Sequence, residues 1–195
     1  MTCDFPMFGN TTLMALPKVG FLSSRRVPPA AVMKCYDWAT EMRDQGVCVM
    51  GGFQSPLERD VLTLLLQGKQ PVIWVLARKL WTPRGVPKAY RAAIEDGRLL
   101  VVSPVSQSIR RVDAQSAAVR NRFILESAQR VVFAALDPNG ALVRLLNDVR
   151  SSRNVAFEVL SGTEGERVDP NGALRERRGN FEGNDAYVGE LTAGF

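Results

Sequence analysis

The sequence predicts an α/β protein: a Rossmann-like, doubly wound, mostly parallel sheet of five or six strands with helices on both faces. Three observations carry this expectation. Short apolar runs alternate with helical-period segments through the first 160 residues. The runs are nearly unbroken in Val, Leu and Ile, as in strands buried on both faces. The helical segments open at Pro or Ser and close at Gly, the asymmetry of real helix ends. Strand–helix alternation of this kind builds a parallel sheet through crossover connections.

Lys18-Val19-Gly20-Phe21-Leu22-Ser23 reads as the first strand. Pro28-Pro29 starts a helix that runs to Gln45, with Val32, Cys35, Tyr36, Ala39 and Met42 on one face and Gly46 at its end. Val47-Cys48-Val49-Met50 is the second strand and runs into Gly51-Gly52. Ser55-Pro56-Leu57-Glu58 matches a capping box, with a Ser cap and a Glu three residues on. The helix behind it carries Leu62, Leu65 and Leu66 and ends near Gly68. Pro71 to Leu76 is the third strand, Val86 to Glu95 a short helix, and Leu99 to Val102 the fourth strand, ending at Ser103-Pro104. A helix from about Ala114 to Ala128 contains Arg120-Asn121-Arg122. Val131 to Ala135 is the fifth strand, Ala141 to Val149 a helix, and Val155 to Leu160 a sixth strand. From residue 161 to 195 Gly, Glu, Arg and Asn dominate, which predicts a polar, weakly structured tail behind a single domain over 1–160.

The chemistry-bearing residues fall where strands end. Sheets of this type bind ligands beyond the carboxyl ends of their strands, next to helix N-termini that favour phosphate. The first strand ends in Ser23-Ser24-Arg25-Arg26 and the second in Gly51-Gly52, with Ser55 beyond; the fourth ends at Ser103. With Arg120, Asn121 and Arg122 they form a predicted phosphate- or nucleotide-binding set, rich in forked guanidinium donors. Each also has a bland reading: a solvated turn for Ser23–Arg26, a tight turn for Gly51-Gly52, an internal cap or ion pair for the triplet. Residues two apart on a helix do not share a face, so one of Arg120 and Arg122 is structural, and Arg122 is the candidate. Glu58 as acid or ribose ligand, Lys69 as a further cation and Trp81 as a base-stacking ring are secondary candidates. Trp38, Trp74 and Trp81 all read first as core or interface, and Trp81 alone lies near a strand edge, where the stacking reading applies. Arg110-Arg111 is a solvated pair or the extension of a basic track.

Net charge is +5 with no histidine among 195 residues, and the pI is about 9.4. The basic balance suits a phosphate-bearing partner. Without histidine, most zinc sites and every Ser-His or Cys-His catalytic arrangement are excluded. Three scattered cysteines, Cys3, Cys35 and Cys48, fit neither a disulfide framework nor a metal site; Cys35 and Cys48 read as small core hydrophobes. No metal, cofactor or catalytic residue is expected. No apolar run has membrane-spanning length, and Met1 to Leu16 lacks the basic start of a signal peptide, so the expected location is the cytoplasm, with no membrane contact.

The order of these motifs resembles the DprA/Smf DNA-processing family, within the wider group of Rossmann-like domains that includes the LOG nucleotide hydrolases. The likeness covers roughly residues 15–150. The family's Gly-Ser-Arg loop after the first strand corresponds to Ser23-Ser24-Arg25, and its glycine turn after the second to Gly51-Gly52. Its Arg-Asn-Arg motif is intact and followed by Phe123-Ile124. The chain departs from the family at Phe53–Glu58, where a Gly-Ile-Asp turn is replaced, and at Gly68-Lys69-Gln70-Pro71, which keeps one Gly and one cation. The resemblance implies noncatalytic binding of single-stranded DNA, dimerisation (a homodimer) and recombinase loading. Two alternatives stand beside it: a small-nucleotide sensor or carrier, and a LOG-like nucleotide N-glycoside hydrolase using Glu58.

Overall fold

The computed structural model describes residues 5–152, 155–161, 167–168 and 174–175. Among the described residues nine strands form one sheet: β1 Met7–Gly9, β2 Val19–Leu22, β3 Val49–Gly51, β4 Val72–Val75, β5 Leu99–Val102, β6 Arg130–Phe133, β7 Ala156–Val159, β8 Arg167–Val168 and β9 Leu174–Arg175. Five α-helices alternate with strands β2 to β7: α1 Pro29–Asp44, α2 Pro56–Leu66, α3 Lys88–Glu95, α4 Ala114–Ser127 and α5 Ala141–Ser152. The strand order is β1-β5-β4-β3-β2-β6-β7-β8-β9. Strands β2 to β7 are parallel throughout.

Those six parallel strands and five helices are the ones expected from the alternation of periods. The sheet exceeds the expected five or six strands at its edges. Strand β1 pairs antiparallel with β5. It is three residues long and ends at Gly9, with φ of +109°, where a side chain would collide with the Leu99 carbonyl. So short an element, closed by a glycine that a bend requires, carries no period to read. Strands β8 and β9 extend the other edge antiparallel. They fall in the stretch expected as a tail; most of the remainder of that stretch lies outside the described residues.

The pleat explains the two-faced core. Phe21, Val49, Val72, Trp74, Leu99 and Val101 point toward α1, α2 and α3, where they meet Cys35, Trp38, Leu62, Leu65 and Ala93. Their neighbours Leu22, Met50, Ile73, Val75, Leu100 and Val102 point the other way, toward Ile124 and Leu125 of α4 and Leu146 and Val149 of α5. Burial of each such side chain contributes about 1.5–3 kcal/mol before entropy is counted. Cys35 and Cys48 are buried and unpaired. Burial pushes their thiols up, to about 12 and about 11, as befits inert core residues.

The chain runs outward from β2 through β3 and β4 to β5, then returns to the other side of β2 as β6. The order reverses between β2 and β6, so a crevice opens there at the carboxyl rim.

Candidate nucleotide and nucleic-acid interface

At the reversal point, Ser24 closes the sheet rather than opening it to a ligand. Its backbone N–H donates to the Ala135 carbonyl (3.1 Å) and its Oγ accepts from the Asp137 N–H (3.1 Å). Ser24 is 8% exposed, so it staples the end of β2 to the end of β6. The half-buried Ser23 donates its Oγ to the Ser24 carbonyl. Arg25 and Arg26 follow it in the loop to α1 and are exposed. Neither takes part in an ion pair among the described residues.

The turn from β3 into α2 is built around its own backbone. Ser55 caps α2 by accepting from the Glu58 N–H (3.2 Å). Glu58 Oε2 accepts from the N–H groups of Gln54 and Ser55, both at 2.9 Å. The expected capping box is present on both sides. Glu58 is 4% exposed, which places it as a helix cap and not as a carboxylate open to substrate.

Arg120-Asn121-Arg122 lies in the middle of α4, and its two guanidiniums part company. Arg122 is held by Asp148 of α5 and by Glu126 one turn along; these carboxylates hold its guanidinium firmly charged. It braces α4 against α5. Arg120 points into the rim, 6% exposed. Its Nε donates to Asn121 Oδ1 (2.7 Å) and its Nη1 to Gln54 Oε1 (3.3 Å). Burial lowers its pKa, and the carboxylate of Glu58 opposes that shift; a guanidinium stays charged regardless. The guanidinium lies against Gly52, where a Cβ would come within 3.0 Å of it. Gly51 and Gly52 are thus close-approach positions, Gly51 beneath the Phe53 ring and Gly52 beneath Arg120.

Beyond this turn the rim opens into a cavity of about 550 Å³. Its floor and one wall are aromatic. Trp74 of β4 is buried, and its indole N–H donates to the Gly52 carbonyl (2.9 Å). Trp81 and Tyr90 stand edge-on to it, each 4.9 Å away at 88°. The cavity is also lined by Arg59, Arg78, Arg110 and Arg111, all exposed and none in an ion pair among the described residues.

Two long loops meet to present these cations. Ser103 is fully buried; its Oγ donates to the Arg78 carbonyl (2.8 Å) and accepts from Gln107 Nε2 (3.0 Å). Lys79 N–H donates to the Ile109 carbonyl (2.7 Å), and Leu80 N–H to Gln107 Oε1 (2.9 Å). Ser103 is therefore a clasp that sets Arg78 beside Arg110-Arg111, not a donor facing the cavity.

The structure gathers Ser23–Arg26, Gly51, Gly52, Ser55, Glu58, Ser103, Arg120 and Asn121 along one rim. It leaves two candidates out. Arg122 faces α5. Lys69 lies in the loop entering β4, and loops that enter parallel strands sit at the amino rim, across the sheet from the cavity. Sequence reasoning missed Arg59 and Tyr90. Each sits on a helix whose start is clear, and helical period alone does not say which neighbouring loop its side chain meets.

Among the described residues, no group of three or more His, Cys, Asp or Glu is placed to hold a metal ion. No described helix is long and apolar enough to cross a membrane.

No family model matches the chain, and no curated protein matches it. Solved structures do. DNA processing protein A (DprA) from Streptococcus pneumoniae superposes with a TM-score of 0.62 at 16% identity, over 81% of this chain and 55% of that one. The chain thus spans little more than half of that protein's length. DNA processing protein A from Helicobacter pylori, described for its single-stranded DNA binding mode, gives 0.61 at 18% identity, over 85% of this chain and 74% of that one. A molybdenum cofactor binding protein from Rippkaea orientalis gives 0.48 at 13% identity, over 73% and 76%. The expected Rossmann-like fold of the DprA structures is the fold of this chain.

Proposed function

We propose that the chain binds single-stranded DNA, or the phosphates of another nucleotide ligand, at the carboxyl rim of its sheet, without catalysis. One observation carries this reading. Arg25, Arg26, Arg59, Arg78, Arg110 and Arg111 are exposed on rim loops and helix starts and free of ion pairs among the described residues. Carboxylates of the same rim are engaged elsewhere. Glu58 caps α2, Asp113 caps α4 and Asp137 accepts from the Asn139 N–H. These carboxylates keep their charge, but none of them pairs with the six guanidiniums, which stay available to a polyanion. A protein of the same fold, from H. pylori, binds single-stranded DNA.

Binding of a single-stranded oligonucleotide across a salt series tests it. Each phosphate neutralised on a single strand steepens log K against log salt by about 0.7, so three or four contacts give a slope of roughly −2 to −3. A salt-independent interaction, or none at micromolar protein, refutes the reading. A homodimer, carried over from the DprA resemblance, would present two such rims; light scattering with and without oligonucleotide checks it.

A second reading, a small-nucleotide sensor or carrier, is favoured by the cavity itself. Its volume of about 550 Å³ lies in the range of small-ligand pockets. Thermal unfolding with a nucleotide panel separates the two, since a ligand at 100 times its Kd stabilises by about 2.7 kcal/mol. The hydrolase alternative rests on Glu58, whose carboxylate is turned inward as a cap. Release of free base from nucleoside monophosphates would revive it.

A further inference from the structure

The cavity holds more than cations, and phosphate binding leaves its aromatic wall unused. Trp81 and Tyr90 are half-buried, and both line the cavity. Their planes are parallel to within 4°, with centroids 6.3 Å apart. The buried Trp74 is perpendicular to both and is itself anchored to Gly52. The ring orientations are thus fixed before any ligand arrives, which spares the entropy cost of ordering them. Arg78, Arg110 and Arg111 line the same cavity.

We infer that Trp81 and Tyr90 form a base-stacking subsite, and that Arg78, Arg110 and Arg111 grip the phosphate attached to the stacked base. The inference rests on the phosphate-binding reading above and adds the ligand's other half. A flat, electron-poor ring joined to an anion matches aromatic faces beside guanidiniums; an acidic peptide supplies the charge without the ring, and inorganic phosphate supplies neither ring nor linkage. Stacking accepts any base, because every base has a π face. A duplex keeps its bases stacked on each other, so the subsite selects unpaired nucleotides. The base and phosphate can come from a strand or from a free mononucleotide.

Three probes decide it on the unmodified full chain: a thymidine decamer, a decamer of the same length with abasic sugars, and thymidine monophosphate. The decamer should bind about five- to a hundredfold more tightly than its abasic counterpart, the range for one stacked base. It should also quench tryptophan fluorescence, and the abasic strand should not. Replacing Trp81→Phe should keep affinity within a few fold yet abolish most of the quenching; Trp81→Leu should lose both. Thymidine monophosphate matching the decamer in affinity would support the subsite and assign it to free nucleotides. Equal affinity for the two decamers overturns the stacking inference and leaves phosphate binding standing. No binding of either decamer overturns both. The comparison of decamers needs no variant, so a Trp81 substitution that unfolds the chain does not shield the inference.

Discussion

Arg120 occupies the space that a side chain at residue 52 would fill. A Cβ built on Gly52 falls within 3.0 Å of the Arg120 Nη1, Cζ and Nε atoms. Gly52 does not have a positive φ, so its role is steric and not conformational. The missing methyl lets a buried guanidinium from α4 lie on the turn between β3 and α2, where Gln54 accepts from it. Two segments far apart in sequence are thereby locked at the rim.

This contact makes Gly52→Ala destabilising chiefly through Arg120, which supplies the three atoms nearest the added methyl. Overpacking a filled site costs about 1–3 kcal/mol, or a Tm loss of very roughly 2–10 °C at this chain length. In an Arg120→Ala background the three atoms nearest the added methyl are gone, and its cost should shrink. A double-mutant cycle by thermal or urea unfolding measures the difference, which should exceed 0.5 kcal/mol. Additive effects would show that the guanidinium moves aside freely.

Arg25 and Arg110 should behave in the opposite way. Both are exposed and unpaired among the described residues, so Ala at either position should change stability by no more than about 0.5 kcal/mol. Each should weaken binding of a single strand and flatten its salt slope by about 0.7. Equal slopes in wild type and both variants would place the phosphates elsewhere. Arg122→Ala is the built-in control: its charge is already spoken for by Asp148 and Glu126, and the slope should not move.

The contrast within one triplet shows what the sequence can and cannot carry. The parallel strands were legible because each is a buried apolar run bounded by punctuation, and α2 because its capping box is local chemistry over four residues. The rim was legible because topology alone sends strand ends to one edge. Partners were not. Arg120 and Arg122 differ by two positions and 200° around a helix, and only the packing of α5 and the turn at Gly52 decides which meets Asp148 and which is buried. Ser24 and Ser103 read as donors for a ligand, since nothing local shows that the Asp137 N–H and the Arg78 carbonyl lie beside them. Arg59 and Tyr90 went unread for the same reason: the cavity they share is made by residues up to 60 positions apart.

Asp113 ties acid stability to the helix that carries the triplet. The Ser116 N–H donates to its carboxylate at 2.7 Å, and this bond, with the Ser116 hydroxyl, holds its pKa below the ordinary carboxylate value. A depressed folded-state pKa contributes stability above the unfolded value, near 3.9, that is lost as pH falls through the folded pKa. Asp113→Asn retains an N-cap acceptor at neutral pH but removes this titration. Its Tm should match wild type near pH 7 and fall less steeply below about pH 4. A parallel acid limb in both proteins would assign the loss to other carboxylates.

Glu58 is where the binding and hydrolytic readings diverge most sharply, and two substitutions at one cap separate them. Ser55→Ala removes the acceptor for the Glu58 N–H and should cost about 1 kcal/mol, as N-cap losses do. Glu58→Gln leaves an oxygen able to accept from the Gln54 and Ser55 N–H groups, because Gln serves a capping box as Glu does. It also removes the carboxylate charge that faces Arg120. Its fold should persist, with a Tm within a few degrees of wild type, and its affinity for a single strand should hold or rise as the rim becomes more positive. A base-release activity in wild type that disappears in Glu58→Gln, with the fold intact, would make Glu58 a reacting group and overturn its assignment as a cap alone.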